Sequence, residues 1–282
     1  EFLIKAFSDS ELREVLDELY VDDAVDIIEE MPANVVKRIL MHTDPVVRKS
    51  INEILKYPED SAGSIMTIEY VDLKKYMTVD DAFTRIRRTG VDKETIYICY
   101  VTDDNRKLLG LVTVKDLLLS DKSKKMFEIM ETNVISVTTL EDKEIVADKF
   151  QKYDLMAIPV VDQEERLVGI VTFDDAMDVL QDENTEDIEK MAAITPTDKP
   201  YLKMGIVETW KKRVPWLLLL MVSATFTGKI ITSFEDALQA QIVLTSFIPM
   251  LMDTGGNCGG QSSVTIIRAL SLGDVRFGDI FK

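Results

Sequence analysis

Between Met66 and about Leu180 the chain repeats itself, and no other feature narrows the fold as much. One copy reads IYICYVTDDNRKLLGLVTVKDLLL and the other MAIPVVDQEERLVGIVTFDDAMDV, so Gly110 matches Gly169, Thr113 matches Thr172 and Asp116 matches Asp175. Each copy opens with an amphipathic helix (Val79–Arg88 and Lys143–Tyr153), continues with two short Val/Ile-rich strands around a polar turn, and closes with a second helix. A unit this small cannot bury its sheet alone, so two tandem βαββα units packed on each other are expected.

The two copies resemble a pair of CBS domains, and the likeness covers both in full. CBS pairs are similar to adenosine-nucleotide sensors, and both copies hold the pattern G-h-x-T-x-x-D: Gly110, Thr113 and Asp116, then Gly169, Thr172 and Asp175. A hydroxyl and a carboxylate at that spacing near a helix start can hold a ribose and approach phosphates. The same side chains can equally cap the final helix of each unit, and an acidic cleft repels ATP unless Mg²⁺ or basic residues accompany it. ATP stands as an optional ligand at Thr113, Asp116, Thr172 and Asp175.

Upstream, from Asp9 to Tyr57, apolar residues recur at helical spacing. Asp9 or Ser10 caps a first helix carrying Leu12, Val15, Leu16 and Leu19, and Asp22 starts a second with Ala24, Ile27, Ile28 and Met31 inward. Pro32 takes the first helical position before Val35, Val36, Ile39 and Leu40, and Asp44-Pro45 opens a fourth helix with Val47, Ile51, Ile54 and Leu55. Residues 1–60 therefore read as an all-α domain, a small right-angled or solenoid-like bundle. Asp22 and Asp26 lie one turn apart on a single face, with Glu30 a turn beyond.

Downstream the expected order is one repeat unit over 61–127, the other over 128–183, a long connecting helix over 184–213, and a membrane part over 214–282. The connecting stretch is acidic at its start and basic at its end. Two apolar spans are read at about 214–232 and 238–268; a span needs ~20 residues to cross a ~30 Å core. Lysines and arginines cluster before the first span, and Arg268, Arg276 and Lys282 follow the second, while the loop between holds Glu235 and Asp236. That asymmetry puts both ends in the cytoplasm, as in a multi-pass protein of the cell membrane. A buried helical hairpin of a soluble protein is the alternative. On a helix, Asp253, Asn257, Gln261 and Thr265 form one polar stripe on an apolar rod. A carboxylate inside a membrane faces water, a pore or a partner, which makes Asp253, Asn257 and Gln261 pore-lining candidates; a cap at a helix end is the other reading of Asp253. Gly255/Gly259 and Gly256/Gly260 are small-residue pairs that let another helix approach closely.

Fifty acidic against thirty-three basic residues leave a net charge of −17. Such a chain repels phosphate backbones, so nucleic acid is not an expected partner, and it attracts cations. With two cysteines and one histidine, a four-ligand zinc site is out of reach, and His42 has no GxSxG to accompany it. No enzymatic constellation is visible. The chain starts at Glu1 rather than Met and stops soon after a membrane-like segment, and so reads as part of a longer protein.

The run P-M-L-M-D-T-G-G-N-C-G-G-Q, from Pro249 to Gln261, resembles the second transmembrane helix of MgtE-type magnesium channels. The order of parts agrees: acidic helical N domain, CBS pair, connecting plug helix, membrane spans. The resemblance implies a homodimer in the lipid bilayer with five transmembrane helices per chain, so a piece with two should not conduct alone. It also implies regulatory Mg²⁺ ligands. In VTFDDAMDVLQDENTEDI these fall on Asp175, Asp178, Glu183, Glu186 and Asp187, with Asp142 and Asp154 in addition, and on Asp22 and Asp26 across an alignment gap. Carboxylates on separate domains repel until a hard divalent cation sits between them, so cation concentration can set how closely the domains pack. The implied function is a Mg²⁺-selective channel or transporter that closes when internal Mg²⁺ is high. The rivals are an adenine-nucleotide sensor acting on a membrane partner and a transporter for Mn²⁺ or Co²⁺; oxygen-only ligands argue against a soft-metal specialist.

Overall fold

The computed structural model describes residues 11, 14–15, 19–29, 31–197, 204–276 and 278–279. Leu12 and Leu16 of the first expected helix, together with Glu30, Lys199, Lys203 and Lys282, lie outside the described residues. The chain divides into two compact units, Glu1–Leu180 and Gln181–Lys282.

In the first unit, α1 (Val21–Glu29), α2 (Ala33–His42) and α3 (Pro45–Ile54) form the N domain. They bury Val21, Ala24, Val25, Ile28, Val35, Ile39, Ile51 and Ile54 in one core. Asp44 caps α3 by accepting from the Val46 N–H at 2.8 Å, with Pro45 at the first helical position. Pro32 instead caps α2 from just outside, one residue earlier than expected. Its ring-fixed φ of −61° suits that extended cap equally well.

The first repeat runs β1 (Val71–Lys74), α4 (Val79–Thr89), β2 (Ile98–Thr102), β3 (Leu108–Thr113) and α5 (Val114–Leu119). After the short α6 (Met126–Ile129), the second runs β4 (Val137–Thr138), α7 (Lys143–Tyr153), β5 (Ala157–Val161), β6 (Leu167–Thr172) and α8 (Phe173–Met191). Each has a three-stranded mixed sheet in sequence order, parallel across its first pair and antiparallel across its second. The registers coincide: Val101 faces Gly110 as Val160 faces Gly169.

The repeats trade edges. Ala62 donates to Glu141 O at 2.7 Å, Gly63 to Thr139 O at 3.0 Å, and Thr67 and Ile170 bond each other in both directions at 2.8 and 2.9 Å. Ala62 and Met66 thereby join the core of the second repeat. In return, Glu131 pairs with Leu111 of the first repeat at 2.9 and 3.0 Å. These crossing segments explain the matched glycines: a Cβ on Gly110 would lie 2.5 Å from Glu131 O, and one on Gly169 would lie 2.8 Å from Thr67 O. Gly169→Ala is therefore expected to cost about 1–3 kcal/mol by overpacking against backbone, read as a lower urea midpoint with unchanged slope. Tyr100, Ala157, Leu167 and Ile170 form a further core between the two sheets.

In the second unit the long connecting helix gives way to two pieces. Its first part, 184–191, is the end of α8, and 206–213 opens α9 (Ile206–Ser233). Pro196 lies just past the break and disfavours helical geometry at Thr195. Ala193 closes α8 in the left-handed region, at φ 55°. Among the described residues, α9 alone is long and apolar enough to cross a membrane; its 28 residues reach about 42 Å. The second span read at 238–268 is instead a short α10 (Glu235–Ala240), a 3₁₀ turn and then α11 (Phe247–Ser271). Pro249 sits in the first turn of α11, where its missing N–H costs no helical bond, and Gly273 at φ 70° follows the helix end. α11 has the length of a span, but its polar stripe keeps it from qualifying on apolarity.

Candidate functional site

The first turn of α1 carries a carboxylate into the protein. Asp22 is only 7% exposed, because Val21, Ala24 and Val25 on the same helix are drawn into the N-domain core. Two loop glutamates meet it: carboxylate oxygens of Asp22, Glu69 and Glu94 all lie within 4.8 Å of one another. The loops are pinned together, since the Glu94 N–H donates to Glu69 O at 2.9 Å. The Val21 N–H donates to Glu69 Oε2 at 3.2 Å, tying the glutamate to the start of α1. Asp22 Oδ1 and Glu94 Oε2 are buried without a hydrogen-bond partner.

Acids on α8 extend the patch. Burial, followed by the neighbouring charges, pushes Asp175 to about 7, with Asp22 and Asp174 as the charged neighbours, although the Thr172 hydroxyl bond works the other way. Glu94 is likewise raised to about 7, by burial first and then by Asp22, Asp174, Asp175 and Asp23. Asp22 rises to about 6, chiefly through burial, with first-turn N–H groups partly offsetting it. Asp26 also rises to about 6; it lies on the open side of α1, yet neighbouring atoms displace water from it, and Asp175, Glu29, Asp23 and Asp178 add repulsion. Burial first, and the crowding of like charge second, thus disfavour the ionised form of all four carboxylates.

The structure therefore brings Asp22, Asp26, Asp175 and Asp178 into one region, and adds Glu69, Glu94, Asp23 and Asp174, which the sequence reading missed. Asp142 and Asp154 stand apart from each other. Asp142 caps the start of α7, accepting from the Glu144 N–H at 2.9 Å, and Asp154 closes its end in the left-handed region. Eleven residues of helix separate them by about 16 Å, too far to share one ion. On the outer half of α8, Glu183 is half-buried, Glu186 pairs with Lys190 at 2.6 Å, and Asp187 pairs with Arg268 at 3.3 Å. Thr113 and Asp116 cap α5 reciprocally, and the Thr172 hydroxyl donates to Asp175 in the same way. Asp253, Asn257 and Gln261 share one exposed stripe of α11, where the Asn257 amide donates to Asp253 at 3.3 Å.

Comparison with known proteins bears on what such an arrangement serves. The model of the MgtE intracellular N domain matches residues 1–60, and that of the CBS domain matches 62–122 and 126–182. The crystal structure of the cytosolic domain of the Mg²⁺ channel MgtE in complex with ATP is 40% identical, with a TM-score of 0.60, and the match covers 63% of this chain and 73% of that one. The chain belongs to the MgtE family. The magnesium transporter MgtE of Thermus thermophilus is 41% identical over 257 residues, 91% of this chain and 57% of that protein. The MgtE of Bacillus subtilis is 38% identical over 254 residues, 89% of this chain and 55% of that protein. This MgtE-family chain thus spans about half the length of the curated relatives it matches.

Proposed function

We propose that this chain is the cytosolic sensor and first two membrane helices of a Mg²⁺ transporter that closes when internal Mg²⁺ is high. The observation that carries the reading is the pair of orphaned buried oxygens, Asp22 Oδ1 and Glu94 Oε2, facing a crowded set of acids. The donor set fits a hard cation: it is all oxygen, and only one or two carboxylates need bind directly when the ion keeps several waters. Asp22, Glu69 and Glu94 would hold Mg²⁺, with Asp26, Asp175 and Asp178 at the rim. The ion supplies the two positive charges that the patch lacks. Without that charge the α1 acids and the α8 acids repel, and the N domain is driven from the CBS pair. With it, the acids draw together, and the 184–213 connection moves against the pore mouth.

The same reading assigns Asp142, Asp154, Glu183, Glu186 and Asp187 to further regulatory Mg²⁺ contacts, and Asp253, Asn257 and Gln261 to the pore lining of a homodimer in the cell membrane, with the N domains cytosolic. ATP at the CBS pair is supported by the relative solved with ATP; Thr113, Asp116, Thr172 and Asp175 would leave their caps to hold it. In the full-length transporter, neutralising Asp22, Asp178 and Glu186 together is expected to leave the pore open at high internal Mg²⁺. Flux inhibition equal to wild type in that triple variant would sink the mechanism. Limited proteolysis between Asp182 and Lys203 separates the rivals: protection by MgCl₂ but not by ionic-strength-matched KCl favours the cation sensor, and protection by AMP or ATP alone favours the nucleotide sensor.

A further inference from the structure

The end of α8 and the end of α11 meet through a matched pair of faces. Asn184 and Asp187 are three residues apart on one helix, and Arg268 and Ser271 are three apart on the other, so each pair projects from one side. Arg268 Nη1 lies 3.3 Å from Asp187 Oδ2 and donates to Asn184 Oδ1 at 3.4 Å. The Ser271 hydroxyl donates to the same Asp187 oxygen. Asp187 keeps 18% of its side-chain surface and Arg268 keeps 43%, so water reaches the pair. Glu186, one residue away, is taken by Lys190 on its own helix instead.

We propose that Arg268 is a built-in counter-ion for Asp187 that competes with divalent cations for the acidic half of α8. This rests on the reading of that stretch as a Mg²⁺-responsive element. An arginine stays charged at every accessible pH, and its position in the last turn of α11 suits a cation. It satisfies Asp187 when divalent ions are scarce. A partly exposed ion pair is weak enough to be displaced when they are plentiful. Arg268 is thus a positioning residue that sets the concentration at which α8 responds, and it links that response to the membrane helix that carries the polar stripe.

The test uses the full chain in detergent, titrated with MgCl₂ alone, reading the rate of tryptic cleavage between Asp182 and Lys203. Arg268→Gln is expected to lower the half-protecting concentration roughly two- to five-fold, the shift that losing one partly exposed competing ion pair allows. Ser271→Ala moves it the same way by less, and Arg268→Lys restores the wild-type midpoint. In an Asp187→Asn background, Arg268→Gln produces no further shift. An unchanged or raised midpoint in Arg268→Gln, with wild type still protected, overturns the inference and leaves the sensor reading standing. A wild-type chain that Mg²⁺ does not protect at all overturns both.

Discussion

Replacing Glu94 by glutamine is expected to stabilise the magnesium-free chain and to remove most of its response to MgCl₂. Glu94 is raised to about 7 by burial and by four surrounding acids, so at pH 8 its ionised form is held against both effects. The amide keeps the shape and drops the charge. Each pKa unit corresponds to about 1.4 kcal/mol; because Glu94 is only half-buried, solvent screening trims the gain to about 1–2 kcal/mol. In EDTA, Glu94→Gln should therefore unfold at a higher urea concentration than wild type. In millimolar MgCl₂ the order should reverse, since wild type gains by binding and the variant has lost a ligand. A variant less stable than wild type in EDTA, with an undiminished gain from MgCl₂, would show that Glu94 is neither repelled nor a ligand.

The second large effect is on pH. Asp22 and Asp26 are raised to about 6, and Glu94 and Asp175 to about 7. Near pH 5 to 7 the folded chain thus binds more protons than the unfolded one, and stability falls as pH rises. The penalty is absent below about pH 3, where both states are protonated, and complete above about pH 8, where both are ionised. Since the four groups repel one another, they titrate as a set, and the total is less than four separate shifts. Urea midpoints in EDTA should drop by an amount equivalent to a few kcal/mol between pH 5 and pH 8. Saturating MgCl₂ should flatten that slope by supplying at pH 8 the positive charge that protons supply at pH 5. A midpoint that rises with pH in EDTA would mean that the patch is already compensated.

Much of this architecture is legible because it is periodic. The repeat showed in its matched residues, Gly110 with Gly169 and Thr113 with Thr172, and α7 spans Lys143–Tyr153 as the apolar spacing requires. Asp22 and Asp26 stood out because four residues on a helix make one face. Glu69 and Glu94 did not, because they sit in loops of opposite sequence context, and a lone glutamate in DKET looks like any solvated acid. Only the backbone bond between them and the approach of α1 turns them into a group. The connecting helix misled for a different reason: nothing in the composition of 184–213 marks Ala193, where the chain turns into the left-handed region, as the end of α8. For the second span, Pro249 in the first turn of α11 marked a start that apolarity blurred.

The exchanged edges of the two repeats also dictate an order of assembly. As the chain leaves the ribosome, the strip around Ala62 and Thr67 emerges early, but its partners at Thr139, Glu141 and Ile170 lie some seventy to a hundred residues behind it. That strip must wait, unpaired, while the first sheet forms beside it. The first sheet in turn lacks its edge until Glu131 is out. Neither sheet is completed without a segment from the other repeat, and the second core closes only once Ile170 and the α8 residues Ala176 and Val179 have emerged.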